Sequence, residues 1–246
     1  MASAEEQTEL LARRISCILD ASMRTAYVRH TLLAMDPAEV ADLLSVAHAY
    51  TEARSSRHSN LLACLSMALA DESCAPLRRA VSALLESRHQ HVLARSLRRE
   101  AIDEEDDALR VPDFGLGRPI TLGERKSLAR KHDRELITRV LRDPHPDVIR
   151  ILLGNPALVE TDVLLLCARR PVANDVLREV FKSARWIVRY PIKLALVLNP
   201  YTPVDVALQL APLIHDQDVR RILEGADLAP ELHAACRQRM DPTAIH

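Results

Sequence analysis

Aromatic side chains are scarce: the 246 residues include two Phe, four Tyr and one Trp. Glycine is scarcer still for a chain of this length, at five. β-Sandwiches and barrels draw on aromatic and β-branched residues and on turn glycines, so this composition argues against them. The apolar share of 48% is filled largely by Leu, Ala and Val, the side chains with which helices pack. Long apolar runs are also missing. Leu61 to Ala70 is about the longest, it carries Ser66, and it falls well short of the ~20 residues that span a bilayer. The opening Met1-Ala2-Ser3-Ala4-Glu5-Glu6 has neither the basic nor the apolar region of a secretory signal. The expectation is a cytoplasmic protein with no membrane attachment.

Sets of reactive residues are lacking as well. The five cysteines, Cys17, Cys64, Cys74, Cys167 and Cys236, are odd in number, widely spaced and set in apolar helical context, which suits small core residues better than disulfides or ligands. Ten histidines show no zinc spacing and no His-Glu-x-x-His. The tightest pair, His89-Gln90-His91, would point apart on a helix and could share a metal only across a turn. Asp113-Phe114-Gly115 and Gly115-Leu116-Gly117 spell fragments of kinase and dinucleotide motifs without the strands, lysine or further glycines those sites need. No complete catalytic set remains, so the chain is read as non-enzymatic, with no catalytic residue, no cofactor and no metal.

Proline and glycine divide the chain. Before residue 112 there are two prolines and no glycine; the rest holds twelve prolines and all five glycines. The break is the acidic run 103–107 followed by Val111-Pro112-Asp113-Phe114-Gly115. Residues 1–100 read as a bundle of amphipathic helices, 101–118 as a linker or loop, 119–240 as a second helical region and 241–246 as a tail. In the bundle, Glu6 to Ala21 reads as one helix with Leu10, Leu11, Ile15, Ile18 and Leu19 on a face. Asp36-Pro37-Ala38-Glu39 is a strong helix start, with an N-cap, a proline at the first position and an acid in the first turn. Thr121-Leu122-Gly123-Glu124 spells a capping box.

What the second region does have is an internal echo. Val148-Ile149-Arg150-Ile151-Leu152-Leu153-Gly154-Asn155-Pro156 returns about 43 residues later as Ile192-Lys193-Leu194-Ala195-Leu196-Val197-Leu198-Asn199-Pro200. Asp162-Val163 answers to Asp205-Val206, and Asp175-Val176 to Asp218-Val219. That period marks a stacked helical repeat. Three short helices per unit, with the entry Asp143-Pro144-His145-Pro146-Asp147-Val148-Ile149-Arg150, resemble the armadillo and HEAT type over roughly 119–240. The resemblance is architectural and implies no particular ligand or functional residue. The fold expected is therefore all-α: an N-terminal helical bundle followed by a short armadillo/HEAT-like stack.

Charge is unevenly placed. Residues 1–117 hold 13 Lys/Arg against 18 Asp/Glu, 118–193 hold 16 against 9, and 194–246 hold 4 against 7. A basic middle attracts phosphates or an acidic partner, and it also serves as an ordinary solvated helix surface. The candidate partner-binding residues are Arg169, Arg170, Arg178, Lys182, Arg185, Arg189, Tyr190 and Lys193, because Arg with an aromatic neighbour is the composition of interface hot spots. Trp186, four residues before Tyr190 at a junction between units, is read as core. Asn155 and Asn199 are read as corner residues that could also meet a partner. A solenoid surface suits protein binding, so the function expected is a protein-interaction or scaffold module. The alternative is a helical-repeat protein that contacts nucleic-acid phosphates through the Arg and Lys of 118–193. Partner identity and oligomeric state stay open.

Overall fold

The computed structural model describes residues 3–53, 55–99, 110–114, 118–225 and 227–240. Within them the regular structure is helical, with no strand. The acidic run 103–107, Gly115-Leu116-Gly117 and the 241–246 tail lie outside the described residues. The described chain groups by contact into two units, residues 3–99 with 204–240, and residues 110–203.

The first unit opens with α1 (Ala4–Ser16), α2 (Ala21–Leu33), α3 (Pro37–Glu52), α4 (Ser56–Leu69), α5 (Ala75–Ser87) and α6 (His91–Ser96). The second unit contains α7 (Leu122–Leu128), α8 (Arg134–Val140), α9 (Pro146–Leu153), α10 (Glu160–Ala168), α11 (Asn174–Lys182), α12 (Ala184–Ile187) and α13 (Tyr190–Val197). The chain then supplies α14 (Val204–Leu210), α15 (Asp216–Glu224) and α16 (Pro230–Met240) to the first unit.

In the first unit α3 and α4 form the centre: α3 packs on α1, α4 and α5, and α4 on α1 and α2. Their shared core is aliphatic, with Leu43, Leu61, Leu65 and Leu69 each 2% exposed or less. The Asp36 start is built as its sequence indicates, its carboxylate accepting from the Ala38 N–H at 2.8 Å and Glu39 closing back onto the Asp36 N–H. The first helix is shorter than its apolar spacing suggests. Asp20 caps a new helix by accepting from the Met23 N–H at 2.8 Å, so the chain must leave α1 before it; Leu19 is consequently 96% exposed, while Leu11 and Ile15 are buried. α14 packs on α6, α4 and α16. Every residue from Asp205 to Ala211 is buried, so this helix needs neighbours on all sides. The region expected as one stack from 119 to 240 is thus divided between the two units after Pro203.

In the second unit α9 packs against α7, α8 and α11, and α10 against α11 and α13. This core holds Trp186 and Phe181, each 1% exposed. The first turn of α10 holds Asp162, whose carboxylate is 7% exposed and accepts both Arg134 guanidinium nitrogens at 2.7 and 2.8 Å together with the Val159 N–H at 3.1 Å. The Arg134 hydrogen bonds hold this carboxyl below the usual range, against the opposing effect of burial. A lowered folded pKa contributes stability that is present above the unfolded value of about 3.9 and is lost as pH falls through the folded value. Asp162→Asn is therefore expected to cost about 1–2 kcal/mol at pH 7. The gap from wild type should narrow below about pH 4. Urea midpoints at pH 7 and pH 3, followed by Trp fluorescence, check this; a gap that stays constant would refute it.

Candidate functional site

An α-helix leaves its last carbonyls without helical partners, and short helices leave many such groups per residue. The second unit satisfies them with side chains from later in the chain. Asn155 is 3% exposed; its Nδ2 donates to Ala129 O and Lys131 O at 2.9 and 2.8 Å, and its Oδ1 accepts from the Ala157 N–H at 2.9 Å. Asn199 repeats the arrangement, donating to Cys167 O and Arg169 O at 2.7 and 3.0 Å and accepting from the Tyr201 N–H at 3.0 Å. Both corner asparagines are committed inside the fold and are not placed to meet a partner.

Several of the sequence-predicted basic residues are likewise engaged within the fold. Arg185 donates to Asn155 O at 2.9 Å and Leu158 O at 3.2 Å, and its guanidinium stacks 4.4 Å from the Trp186 ring centre. Arg189 lies 5.2 Å from the same ring and pairs with Glu160. Trp186 is core, its Nε1 donating to Leu153 O at 2.8 Å. Arg178 is 4% exposed, and Lys182 pairs with Glu179 at 3.0 Å. Tyr190 and Lys193 are half-buried on α13.

Arg169 and Arg170 are arranged differently. With Arg110, Arg139 and Arg142 they line an open cleft of about 640 Å³ whose other walls are Val111, Pro112, Asp113 and Pro171. Arg139 and Arg142 lie at the C-terminal end of α8, and Arg169 and Arg170 at that of α10, where the helix carbonyls favour cations. Arg169 donates to Leu141 O at 3.2 Å and Pro171 O at 3.3 Å, and Arg170 to Leu198 O at 2.7 Å, so both side chains are anchored with guanidinium nitrogens to spare. Arg139 pairs with Glu135 at 2.5 Å, while Arg142 and Arg110 are exposed. Burial holds the Arg169 guanidinium below its ordinary range, the Arg142 charge adds to this, and Asp143 opposes it. Asp143 is itself engaged, accepting Arg125 at 2.8 and 3.0 Å. Asp113 is the one acid among the described lining residues. Concentrated guanidinium groups around one cleft attract carboxylate or phosphate oxygens and can grip them bidentately.

The structure thus brings together two of the eight predicted partner-binding residues and adds three that spacing does not reveal. The 118–193 charge excess is the signal for Arg139 and Arg142. Arg110 belongs to the acidic part of the sequence and carries no such signal.

Other reactive groups are not assembled in this unit. Cys167 is buried, which pushes its thiol up to about 12 and leaves the nucleophilic thiolate out of reach near neutrality. Among the described residues no group of three or more His, Cys, Asp or Glu is placed to hold a metal ion. No helix of the described chain is long and apolar enough to cross a membrane. Comparison with protein-family models, with curated proteins and with solved structures yields no match to this chain.

Proposed function

We propose that this protein is a non-catalytic interaction module that binds an acidic segment of a protein partner in the arginine-lined cleft of its second unit. The observation that carries the reading is the convergence of Arg110, Arg139, Arg142, Arg169 and Arg170 on one opening, with a single acid among the described lining residues. The lining has no aromatic ring on which a base could stack, which favours carboxylates over single-stranded nucleic acid. The corner after α9 at Asn155 returns after α13 at Asn199 with the same hydrogen-bond pattern, which supports a short armadillo/HEAT-like repeat within this unit as the scaffold of the cleft. All five cysteines are free thiols, which suits a reducing compartment and hence the cytoplasm.

The test uses a fluorescent ten-residue oligo-glutamate peptide and, in parallel, a single-stranded oligonucleotide, each titrated in anisotropy against the whole chain. The Arg110→Glu/Arg142→Glu variant reverses two exposed charges that anchor no part of the fold. It is expected to weaken the peptide at least about tenfold, with wild-type affinity falling as salt rises. Unchanged peptide binding in that variant would overturn the proposal. Tighter binding of the oligonucleotide than of the peptide would replace it with phosphate recognition.

A further inference from the structure

The first unit contains an open pocket of about 970 Å³, walled by α3, the turn from α5 to α6, and α14 to α16. Its volume is at the upper end for small-molecule sites. The apolar part of the wall includes Leu93, Leu208, Pro212 and Leu223, and the polar part includes His48, Glu52, Arg237 and Arg239.

Glu52 lies 3.5 Å from His48. Burial holds the His48 imidazole below its ordinary range; Glu52 opposes this and Arg239 adds to it. Arg239 donates to Ala211 O at 2.9 Å and to Asp216 at 2.7 Å, which fixes its guanidinium at the wall. Arg237, two residues before it on α16, is also in the lining and is exposed. The lining thus holds two arginines, Arg239 already paired with Asp216 and Arg237 exposed, beside the Glu52 carboxylate.

Two further features bear on a ligand. A small recess shares His48, Leu93, Leu208 and Pro212 with the pocket, and Gln209 lines that recess. Gln209 is 9% exposed and donates to Ser96 O at 2.6 Å, but its Oε1 is buried without a hydrogen-bond partner. Such an acceptor costs about 1–3 kcal/mol unless something donates to it, a role that a water in the recess can fill and an ionised carboxylate cannot. His89, in the opposite wall, holds φ 60°, the left-handed conformation that normally falls to glycine or asparagine. The turn is locked by Gln90 N–H to Leu85 O at 2.9 Å and by Ser45 Oγ to Gln90 Oε1 at 2.6 Å. It puts the His89 and His91 rings 5.9 Å apart at the rim, across the turn that their spacing in sequence would require. Together with His89 N–H to Glu86 O at 3.0 Å, the Gln90 bond closes the end of α5 as a left-handed cap.

We propose that this pocket binds a small amphipathic carboxylate, with its apolar body against Leu93, Leu208 and Pro212 and its charged end at Arg237 and Arg239. The inference is independent of the arginine cleft, which lies in the other unit. Calorimetric titration of the whole chain with octanoate and with 1-octanol tests it. Octanoate is expected to bind wild type about tenfold more tightly than octanol, the increment of a charge-assisted hydrogen bond. Arg237→Gln should bring octanoate close to octanol and leave octanol unchanged. Ala235→Trp, which fills the pocket from α16, should weaken both at least about tenfold, with thermal melting checking that the fold is retained. Failure of octanoate to bind wild type, or equal affinity for the two ligands, would overturn the proposal. So would undiminished octanoate binding by Arg237→Gln, or by a normally melting Ala235→Trp protein.

Discussion

Trp186→Ala is expected to destabilise the 110–203 unit by about 4 kcal/mol, the cost of a large buried aromatic replaced by a cavity. The indole is 1% exposed and its Nε1 donates to Leu153 O at 2.8 Å, so truncation also strands a carbonyl at the end of α9. Arg185 and Arg189 lie over the ring at 4.4 and 5.2 Å, and without it their stems lose an apolar support. Trp186→Phe separates these contributions. It keeps most of the volume and the cation–π faces, loses the N–H, and should cost about 1–2 kcal/mol. Since Trp186 is the one tryptophan of the chain, these two variants need far-UV circular dichroism and hydrogen exchange of α9 and α11 as the readout. A Trp186→Ala protein whose α9 amides exchange as slowly as wild type would refute the assignment.

The same residue shows which parts of the fold were legible in the sequence. A tryptophan at the junction of two apolar segments reads as core because a large ring fills space between packed helices, and that physics is local. Helix starts were legible for a similar reason: Asp36-Pro37 and the Thr121 to Glu124 capping box act through groups three residues apart. The four-residue α12 at Ala184–Ile187 was not visible, since one turn is too short to show a period. The end of α1 was missed because an apolar stripe continued past Ser16 while the decisive signal, Asp20, belonged to the following helix. The two proposed sites were least legible. Arg110, Arg139, Arg142, Arg169 and Arg170 approach one another only after α8 and α10 are packed. The pocket of the first unit joins residues as distant in sequence as Ser45 and Met240. Of the arginines chosen from composition, those at 178, 185 and 189 are used within the fold, because short helices expose carbonyls and carboxylates that need cationic donors.

That demand for donors makes Asn199 the second position of large effect. Its Nδ2 serves two carbonyls at the end of α10, Cys167 O and Arg169 O, and its Oδ1 serves the Tyr201 N–H, all from a side chain 3% exposed. Asn199→Ala leaves these groups without partners and should cost about 3 kcal/mol. Asn199→Asp is the sharper test. It retains an acceptor for Tyr201 but turns the donor into an anionic oxygen against two carbonyls, so at pH 7 it should be more destabilising than alanine. Burial against carbonyls raises the folded pKa of that new carboxyl above its unfolded value, so the penalty is full well above the folded pKa and shrinks as pH falls through it. Once protonated, the side chain again presents one donor. Urea midpoints followed by Trp186 fluorescence should therefore rank wild type above alanine above aspartate at pH 7, with aspartate overtaking alanine near pH 4. If the order is the same at both pH values, the Nδ2 donations are not what holds this corner. The matching substitutions at Asn155, whose bonds to Ala129 O, Lys131 O and the Ala157 N–H have the same pattern, should give the same inversion if the corner is a repeated structural unit.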